Sequence, residues 1–254
     1  MQQFSRFIPK LRCGIPSFAE SPDVTVSFVL AHLWDEMAGR DNTYLVQEVA
    51  LLLSRDMSIH EESSLLPHEP LPGDHTPSVI PAENRSLLFA PLGFVTENVD
   101  AQYLLARSLW CRFWCRLESI SSLDDTILVL CAQFESLAEM TSPRVAEHCQ
   151  SLGRALLDYG FSWIRFAGAG YLAPRAVLSL WDIIVATHSL VVLPVLAAAI
   201  VWSKQSLILG CSRVEDLDSL MNDGRAIQVV PLLQDFLQSA QIEEEEEDGS
   251  ATQA

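Results

Sequence analysis

The sequence predicts an all-α protein, and three observations carry that prediction. Apolar residues recur at helical spacing through most of the chain, β-branched runs with a period of two residues are essentially missing, and Pro or Gly interrupts the helical runs. The 49% of hydrophobic and 19% of charged residues are typical of a globular protein. A chain of 254 residues is long enough to bury a substantial core.

The N-terminal half predicts two helices and a long loop. In "VSFVLAHLWDEM", Val29, Leu33 and Met37 share one face, and Gly39 then breaks the helix. The run "TYLVQEVALLLSRD" follows as a second helix. Residues 57–81 contain five prolines and no sustained period, which predicts a surface loop.

The C-terminal half predicts helices almost to its end. The run "NVDAQYLLARSLWCRFWCRLESI" has Asp100 as a start signal and apolar residues at 104, 105, 109, 113 and 117. The run "SLDDTILVLCAQFESLAEM" is a further helix that stops before Pro143, and "VAEHCQSLGRALLDYGFSWIRFAGAGYL" follows it. The Gly-x-Gly of "GAGYLAPR", at 168–175, predicts a tight turn between two helices.

The most apolar segment, 183–202, permits two interpretations. Its length approaches that of a transmembrane helix. His188, Ser189 and Pro194 interrupt it, however, and its flanks lack a basic cluster. This pattern favours a helix boundary with Ser189 as a cap, followed by a fully buried helix. A membrane-associated helical protein that spans the bilayer at 183–202 is the alternative.

These patterns divide the chain into three parts. We expect a partly disordered N-terminal segment at 1–22, a helical domain at 23–238 that contains the loop 57–81, and an acidic disordered tail at 239–254. The first twenty residues lack the apolar core of a signal peptide, and the six cysteines are scattered. We therefore expect a cytoplasmic protein without disulfides.

Charge and motif content exclude several functions. The formal net charge of −17 argues against nucleic acid or an anionic membrane surface as a partner. His60, His68 and His75 lie in the Pro-rich loop at spacings that match no metal site, and Cys111 and Cys115 lack a second ligand pair. We expect those two cysteines to be buried, and we expect no metal. A P-loop, a Gly-x-Ser-x-Gly elbow and a His-Glu-x-x-His motif are all missing from the sequence.

One stretch resembles a known family. "GFSWIRFAGAGYLAPRAVLSLWDIIV" resembles the signature of TBC domains, the all-α fold of Rab GTPase-activating proteins, with Phe-x-Trp on one helix and Leu-Trp-Asp on the next. "IPAENRSLLFAPLGF" is similar to the family helix that ends in Ala-Pro-Leu, and the resemblance extends over 23–238, closest to a divergent branch. It implies a TBC-like helical domain with a shortened N-terminal part. The matching residues are Asp23, Ala90, Pro91, Leu92, Phe161, Trp163, Leu180, Trp181 and Asp182.

The resemblance implies structural roles for most of these residues. Trp181 would fill the gap between its own helix and the helix of Phe161 and Trp163. Asp182, at the helix end, would accept hydrogen bonds from the next helix or from an Arg. The Trp-Asp pair would thus identify the fold without performing chemistry.

Catalysis in that family comes from two residues inserted into the nucleotide site of a Rab, an Arg and a Gln, here called the two fingers. The Arg neutralises charge on the transferred phosphoryl group, and the Gln orients the attacking water. In this sequence Val26 aligns with the Arg and Glu83 with the Gln, so neither finger is matched and no catalytic residue is assigned. Arg40, Arg55 and Arg85 are the arginines that could substitute.

The function implied by the resemblance is binding of a Rab-type small GTPase in membrane trafficking, with weak or no GTPase-activating (GAP) activity. GTP and Mg²⁺ would belong to the partner GTPase, so the chain itself would hold no cofactor. It would meet endomembranes only indirectly, through the Rab. An active Rab GAP with an unconventional Arg is an alternative, and a truncated product of a longer chain is another.

Overall fold

The computed structural model describes residues 87–119 and 124–239, together with Val49, Leu52, Leu53, Asp56 and Ile59. Within these residues all regular secondary structure is helical, apart from one isolated parallel bridge between Leu172 and Gly224. The prediction of an all-α fold is thereby confirmed for the described residues, and their helices are consistent with the TBC-like helical domain that the resemblance implies. The expected helices in 26–55, the loop 57–81 and the acidic tail lie almost entirely outside the described residues.

The chain forms two compact units, which are considered separately below. Unit 1 comprises Met1–Val129 and Arg165–Gly170, and unit 2 comprises Leu130–Ile164 and Tyr171–Ala254.

In unit 1, the described chain begins with helical backbone at 87–89 and a 3-10 helix, Ala90–Phe94. Helix α1, Val99–Leu109, continues through a π-helical turn, Trp110–Trp114, into the short run Cys115–Leu117. The side chain of Asn98 caps α1 by accepting a hydrogen bond from the Ala101 N–H at 3.0 Å. The predicted start signal, Asp100, instead lies in the first turn, where its charge faces the positive end of the helix.

Two of the apolar residues whose spacing indicated this helix do not pack inward. Leu104 and Leu105 are 63% and 40% exposed, whereas Gln102, Ala106 and Trp110 are buried. Polar contacts described below fix this rotation of the helix. The core of unit 1 is aromatic: Phe89 and Trp110 pair at a centroid distance of 6.2 Å, and Phe113 and Trp114 are also buried.

Unit 2 contains most of eight successive helices, while Ile127–Val129 of α2 and Arg165 of α4 belong to unit 1. The helices are α2, Ile127–Thr141; α3, Pro143–Ser151; α4, Leu156–Arg165; α5, Pro174–Thr187; α6, Val192–Ser203; α7, Gln205–Gly210; α8, Val214–Asn222; and α9, 229–239. Proline occupies the first turn of α3 and of α5, where its missing N–H leaves no bond unmade. Gly168 and Gly170, which belong to unit 1, adopt φ values of 78° and 83° in the predicted turn before Pro174.

The apolar segment 183–202 is divided between two helices. Helix α5 ends where His188 takes the left-handed conformation, and α6 begins at Val192. Ser189 does not occupy the N-cap position, but its Oγ accepts a hydrogen bond from the Val191 N–H at 3.1 Å. Helix α6 is buried along most of its length, as predicted. The segment therefore forms parts of two helices instead of the single membrane-spanning helix of the alternative interpretation. Among the described residues no helix is long and apolar enough to cross a membrane.

Close packing of α4 on α2 generates a prediction about stability. Gly160 lies in α4, and a Cβ added there would overlap the ring of Phe134, which is fully buried. We expect Gly160→Ala to lower the free energy of unfolding by about 1–3 kcal/mol because the ring has little room to move. Denaturation in urea, followed by circular dichroism, measures this change.

Gly210→Ala is the matched control. A Cβ at Gly210 meets no atom within 4 Å, so this variant should leave stability unchanged or raise it by up to about 1 kcal/mol. Equal destabilisation by both substitutions would contradict the proposed contact with Phe134.

Candidate functional site

The two predicted finger positions lie outside the part of the chain that the structure describes. This holds for Val26 and Glu83, for Asp23, and for the three arginines that could substitute, Arg40, Arg55 and Arg85. The loop histidines, His60, His68 and His75, are also outside it. The signature residues that the structure does describe fall into two groups, one at 90–92 and one at 161–182.

The first group follows the predicted Gln-finger segment in the chain. Ala90, Pro91 and Leu92 open the 3-10 helix of unit 1, and all three side chains are buried. Pro91 occupies the first turn, which suits its fixed φ and missing N–H. These residues contribute apolar packing and present no chemical group to solvent.

A polar cluster near this segment was not anticipated from the sequence. The Asp56 carboxylate accepts hydrogen bonds from the Tyr103 hydroxyl at 2.6 Å and from Arg107 Nε at 2.9 Å. Burial, followed by the bond to Asp56, raises the pKa of Tyr103. Tyr103 and Arg107 are four residues apart on α1, a spacing that could have indicated a shared partner. Their joint contact with Asp56 holds α1 in its observed rotation.

Five described arginines each pair with a carboxylate; the pair of Arg213 with Glu215 is exposed, and the other four pairs are partly buried. In unit 1, Arg165 makes two contacts with Glu118, at 3.1 and 3.2 Å, and Arg116 lies 3.4 Å from Asp125. Arg107 binds Asp56, as above, and in unit 2 Arg154 binds Asp218. A guanidinium held in this way is occupied by an internal anion. These four residues are therefore poor candidates for a catalytic finger.

The second signature group lies in unit 2, where its aromatic residues form part of the core. The Trp163 ring stacks on Tyr171 at a centroid distance of 4.6 Å and an interplanar angle of 26°. Leu180 and Trp181 are buried, and Phe161 is half-buried. These burials agree with a structural role. The specific packing of Trp181 between the two helices remains a prediction.

Asp182 does not occupy the position that was expected for it. Helix α5 runs on to Thr187, so Asp182 lies inside the helix instead of at its end. Its side chain is exposed and makes no hydrogen bond or ion pair with the described part of the chain. The expected position at the helix end is therefore wrong.

Tyr171 is the centre of a cluster that sequence reasoning missed. Lys204 Nζ donates to the Tyr171 hydroxyl at 3.2 Å and to the Leu220 carbonyl at 2.7 Å. The lysine thus satisfies a carbonyl at the C-terminal end of α8, where a positive charge is favourable. Burial lowers the pKa of Lys204, and the coulombic effect of Asp223 opposes that shift. Gly224 packs directly against Tyr171, since a Cβ there would lie 2.6 Å from the ring.

Two of the described thiols, Cys131 and Cys149, are unsuited to nucleophilic chemistry at neutral pH. Cys111 and Cys115 are buried, as predicted. Burial raises the pKa of Cys131 to about 12 and that of Cys149 to about 11. These two thiols stay protonated, and a protonated thiol is a poor nucleophile and a poor metal ligand. No cluster of His, Cys, Asp and Glu among the described residues could hold a metal ion.

With this geometry in place, the chain can be compared with known proteins. It resembles TBC1 domain family member 19 of Homo sapiens. The two are 35% identical over 159 residues, which is 63% of this chain and 30% of the human protein. The chain therefore spans less than a third of that relative's length. No protein-family model and no solved structure matches the chain.

Helix α8 of unit 2 carries an ion-pair network whose pH dependence can be predicted. Asp218 accepts hydrogen bonds from Arg154 Nη2 at 2.7 Å and from the Tyr159 hydroxyl. The bonds from Arg154, chiefly, lower the pKa of Asp218 below its usual value. The stabilisation is therefore present above the unfolded pKa of about 3.9 and is lost as the pH falls through the lower folded pKa.

We expect Asp218→Asn to destabilise the protein near neutral pH and to have less effect as the pH falls below about 4. Urea unfolding of both proteins at a series of pH values measures the difference. Asp216→Asn, which removes an exposed carboxylate from the same helix, is the control for the loss of one charge. A difference that is constant from pH 7 to pH 3 would show that Asp218 does not act through its charge.

Proposed function

We propose that this chain is a TBC-type helical domain that binds a Rab-type small GTPase and regulates membrane trafficking, with weak or no GAP activity. The observation that carries the proposal is the combination of two features. The Phe-x-Trp and Leu-Trp-Asp signature, with the similarity to TBC1 domain family member 19, supports the domain type. Val26 and Glu83 stand where that type of domain places its catalytic Arg and Gln.

The chemistry of these two residues argues against the usual mechanism. An arginine finger raises the hydrolysis rate about 10³- to 10⁵-fold by neutralising charge that develops on the phosphoryl group. Val26 has no charge or donor to supply in that place. Glu83 would bring a carboxylate toward a triphosphate, and the repulsion opposes the stabilisation that the transition state requires. Binding of the GTPase needs neither finger, so the two activities are separable.

The ion pairs of the described arginines also bear on an unconventional finger. Arg107, Arg116, Arg154 and Arg165 are each held by a carboxylate, and a finger would have to leave its partner and reach within hydrogen-bond distance of the phosphate. These four arginines are therefore poor candidates for an unconventional finger. GTP and Mg²⁺ are those of the GTPase, and the chain reaches endomembranes through that partner.

The first test compares binding with catalysis on one panel of purified Rab proteins. We expect pull-down of at least one Rab to depend on its bound nucleotide, while single-turnover GTP hydrolysis stays within about tenfold of the intrinsic rate, a barrier change under about 1.4 kcal/mol. Each Rab alone provides the baseline. Stimulation beyond tenfold would overturn the proposal of weak or no GAP activity. Failure to bind any Rab in either nucleotide state would overturn the proposed class of partner.

A gain-of-function variant tests the assignment of the finger positions. We expect Val26→Arg combined with Glu83→Gln to raise the hydrolysis rate of a Rab that the wild-type chain binds by at least about tenfold. Val26→Lys combined with Glu83→Gln is the matched control, because Lys restores the charge without the planar, bidentate guanidinium. Its stimulation should be smaller. If the Arg and Gln variant still binds the Rab but gives no stimulation, the two positions are not those of the fingers.

A further inference from the structure

Two cysteines of unit 2 lie on chain segments that are in direct contact. Cys149 is fully buried near the end of α3, whereas Cys211 directly follows α7 and is partly exposed. Both are free thiols. The Cys211 thiol donates a weak hydrogen bond to the Leu207 carbonyl at 3.4 Å. The proposed binding of a GTPase assigns no role to either thiol.

Contacts on both sides of Cys149 hold the two segments together. His148, the residue before it, has its ring Nε2 3.0 Å from the carbonyl oxygen of Cys211. Arg154, beyond the end of α3, binds Asp218 of α8 through two bonds, at 2.7 and 3.1 Å. Cys149 therefore lies between two contacts with one stretch of chain, and it is next to the contact that involves Cys211. A disulfide requires Cα atoms within about 7 Å, so it can form only between segments that touch in this way.

The two thiols also influence each other electrostatically. Burial is the larger cause that raises the pKa of Cys149 to about 11, and the charge of Cys211 is the second. A coulombic effect weakens with distance, so it agrees with the contacts above in placing the two sulfur atoms near each other. Cys131 differs in this respect, because its pKa is raised by burial and by Glu135 and not by a second thiol.

We propose that Cys149 and Cys211 are a peroxide-sensitive pair that forms a reversible disulfide between the end of α3 and the segment before α8. Of the two, only Cys211 reaches solvent. Its thiolate attacks one oxygen of hydrogen peroxide, the O–O bond breaks, and Cys211 becomes a sulfenic acid while hydroxide leaves. The sulfenic acid is uncharged, so the charge that opposed ionisation of Cys149 is removed.

The second step joins the two residues. The Cys149 sulfur attacks the Cys211 sulfur, the S–S bond forms, and the hydroxyl group of the sulfenic acid leaves with the Cys149 proton as water. In total, two thiols are oxidised to one disulfide and one peroxide is reduced to two waters. A low-molecular-weight thiol reverses the reaction by thiol–disulfide exchange. The cross-link closes a long loop of the chain, which restricts the unfolded state and stabilises the folded one.

Peptide mapping by mass spectrometry tests this proposal with the full chain. The reduced protein is treated with hydrogen peroxide at mildly alkaline pH, which raises the thiolate fraction, and is then unfolded, alkylated and digested without reductant. We expect the main disulfide to join the peptides that contain Cys149 and Cys211, and we expect dithiothreitol to remove it. Cys131, which is buried and outside the pair, is the internal control and should be recovered alkylated.

Two variants separate the roles of the two thiols. In Cys149→Ala the cross-link should be lost while Cys211 accumulates as a sulfenic acid, which dimedone traps. In Cys211→Ser both the cross-link and the dimedone adduct at 211 should be lost, and Cys149 should stay reduced because it is buried. Peroxide should raise the Tm of the wild-type chain, and neither variant should show this rise. Circular dichroism before oxidation shows that each variant is folded.

Three outcomes would overturn the proposal. The first is a folded wild-type chain in which Cys211 is oxidised to the sulfinic acid without a cross-link, since Cys149 would then be out of reach. The second is a main disulfide between other cysteines, which would place the reactive pair elsewhere. The third is a Cys211 that peroxide leaves reduced.

Discussion

The stacking of Tyr171 on Trp163 is the contact on which the arrangement of unit 2 depends. Tyr171 follows the turn after α4. Its hydroxyl accepts a hydrogen bond from Nζ of Lys204, which lies at the end of α6. The same lysine bonds to the Leu220 carbonyl in α8, and the backbone at Gly224 lies directly against the ring. One aromatic side chain thus fixes the ends of three helices. It can do so only because residue 224 has no Cβ.

Helix type and helix ends could largely be predicted from the sequence because they are decided locally. Pro143 and Pro174 sit in first turns, and Gly168 and Gly170 take positive φ in the turn between α4 and α5. His188 ends α5 in the left-handed region, which divides a segment long enough to suggest a membrane span. Each of these features acts within a few residues of itself, so no tertiary information is needed to expect it.

What the sequence did not predict depends on partners distant along the chain. The apolar spacing of α1 suggested that Leu104 and Leu105 face the core, yet Asp56, about fifty residues earlier, binds Tyr103 and Arg107 and rotates the leucines outward. Periodicity shows how apolar each face of a helix is, but it does not show which face will contact a carboxylate from a distant part of the chain. The Lys204 cluster escaped prediction for the same reason, since its acceptors, the Tyr171 hydroxyl and the Leu220 carbonyl, are distant from Lys204 along the chain.

The buried signature residues and the projecting finger residues differ in how far the sequence can predict them, and the difference has a physical cause. Trp163, Leu180 and Trp181 are buried, so changing any of them would leave a cavity or force repacking, at several kcal/mol for a large side chain. A finger acts on the nucleotide of another protein and must therefore project from the core. Replacing such a residue has little effect on folding. A helical core can thus persist without catalytic residues, and recognition of a domain from its core residues carries no information about whether GTP hydrolysis is accelerated.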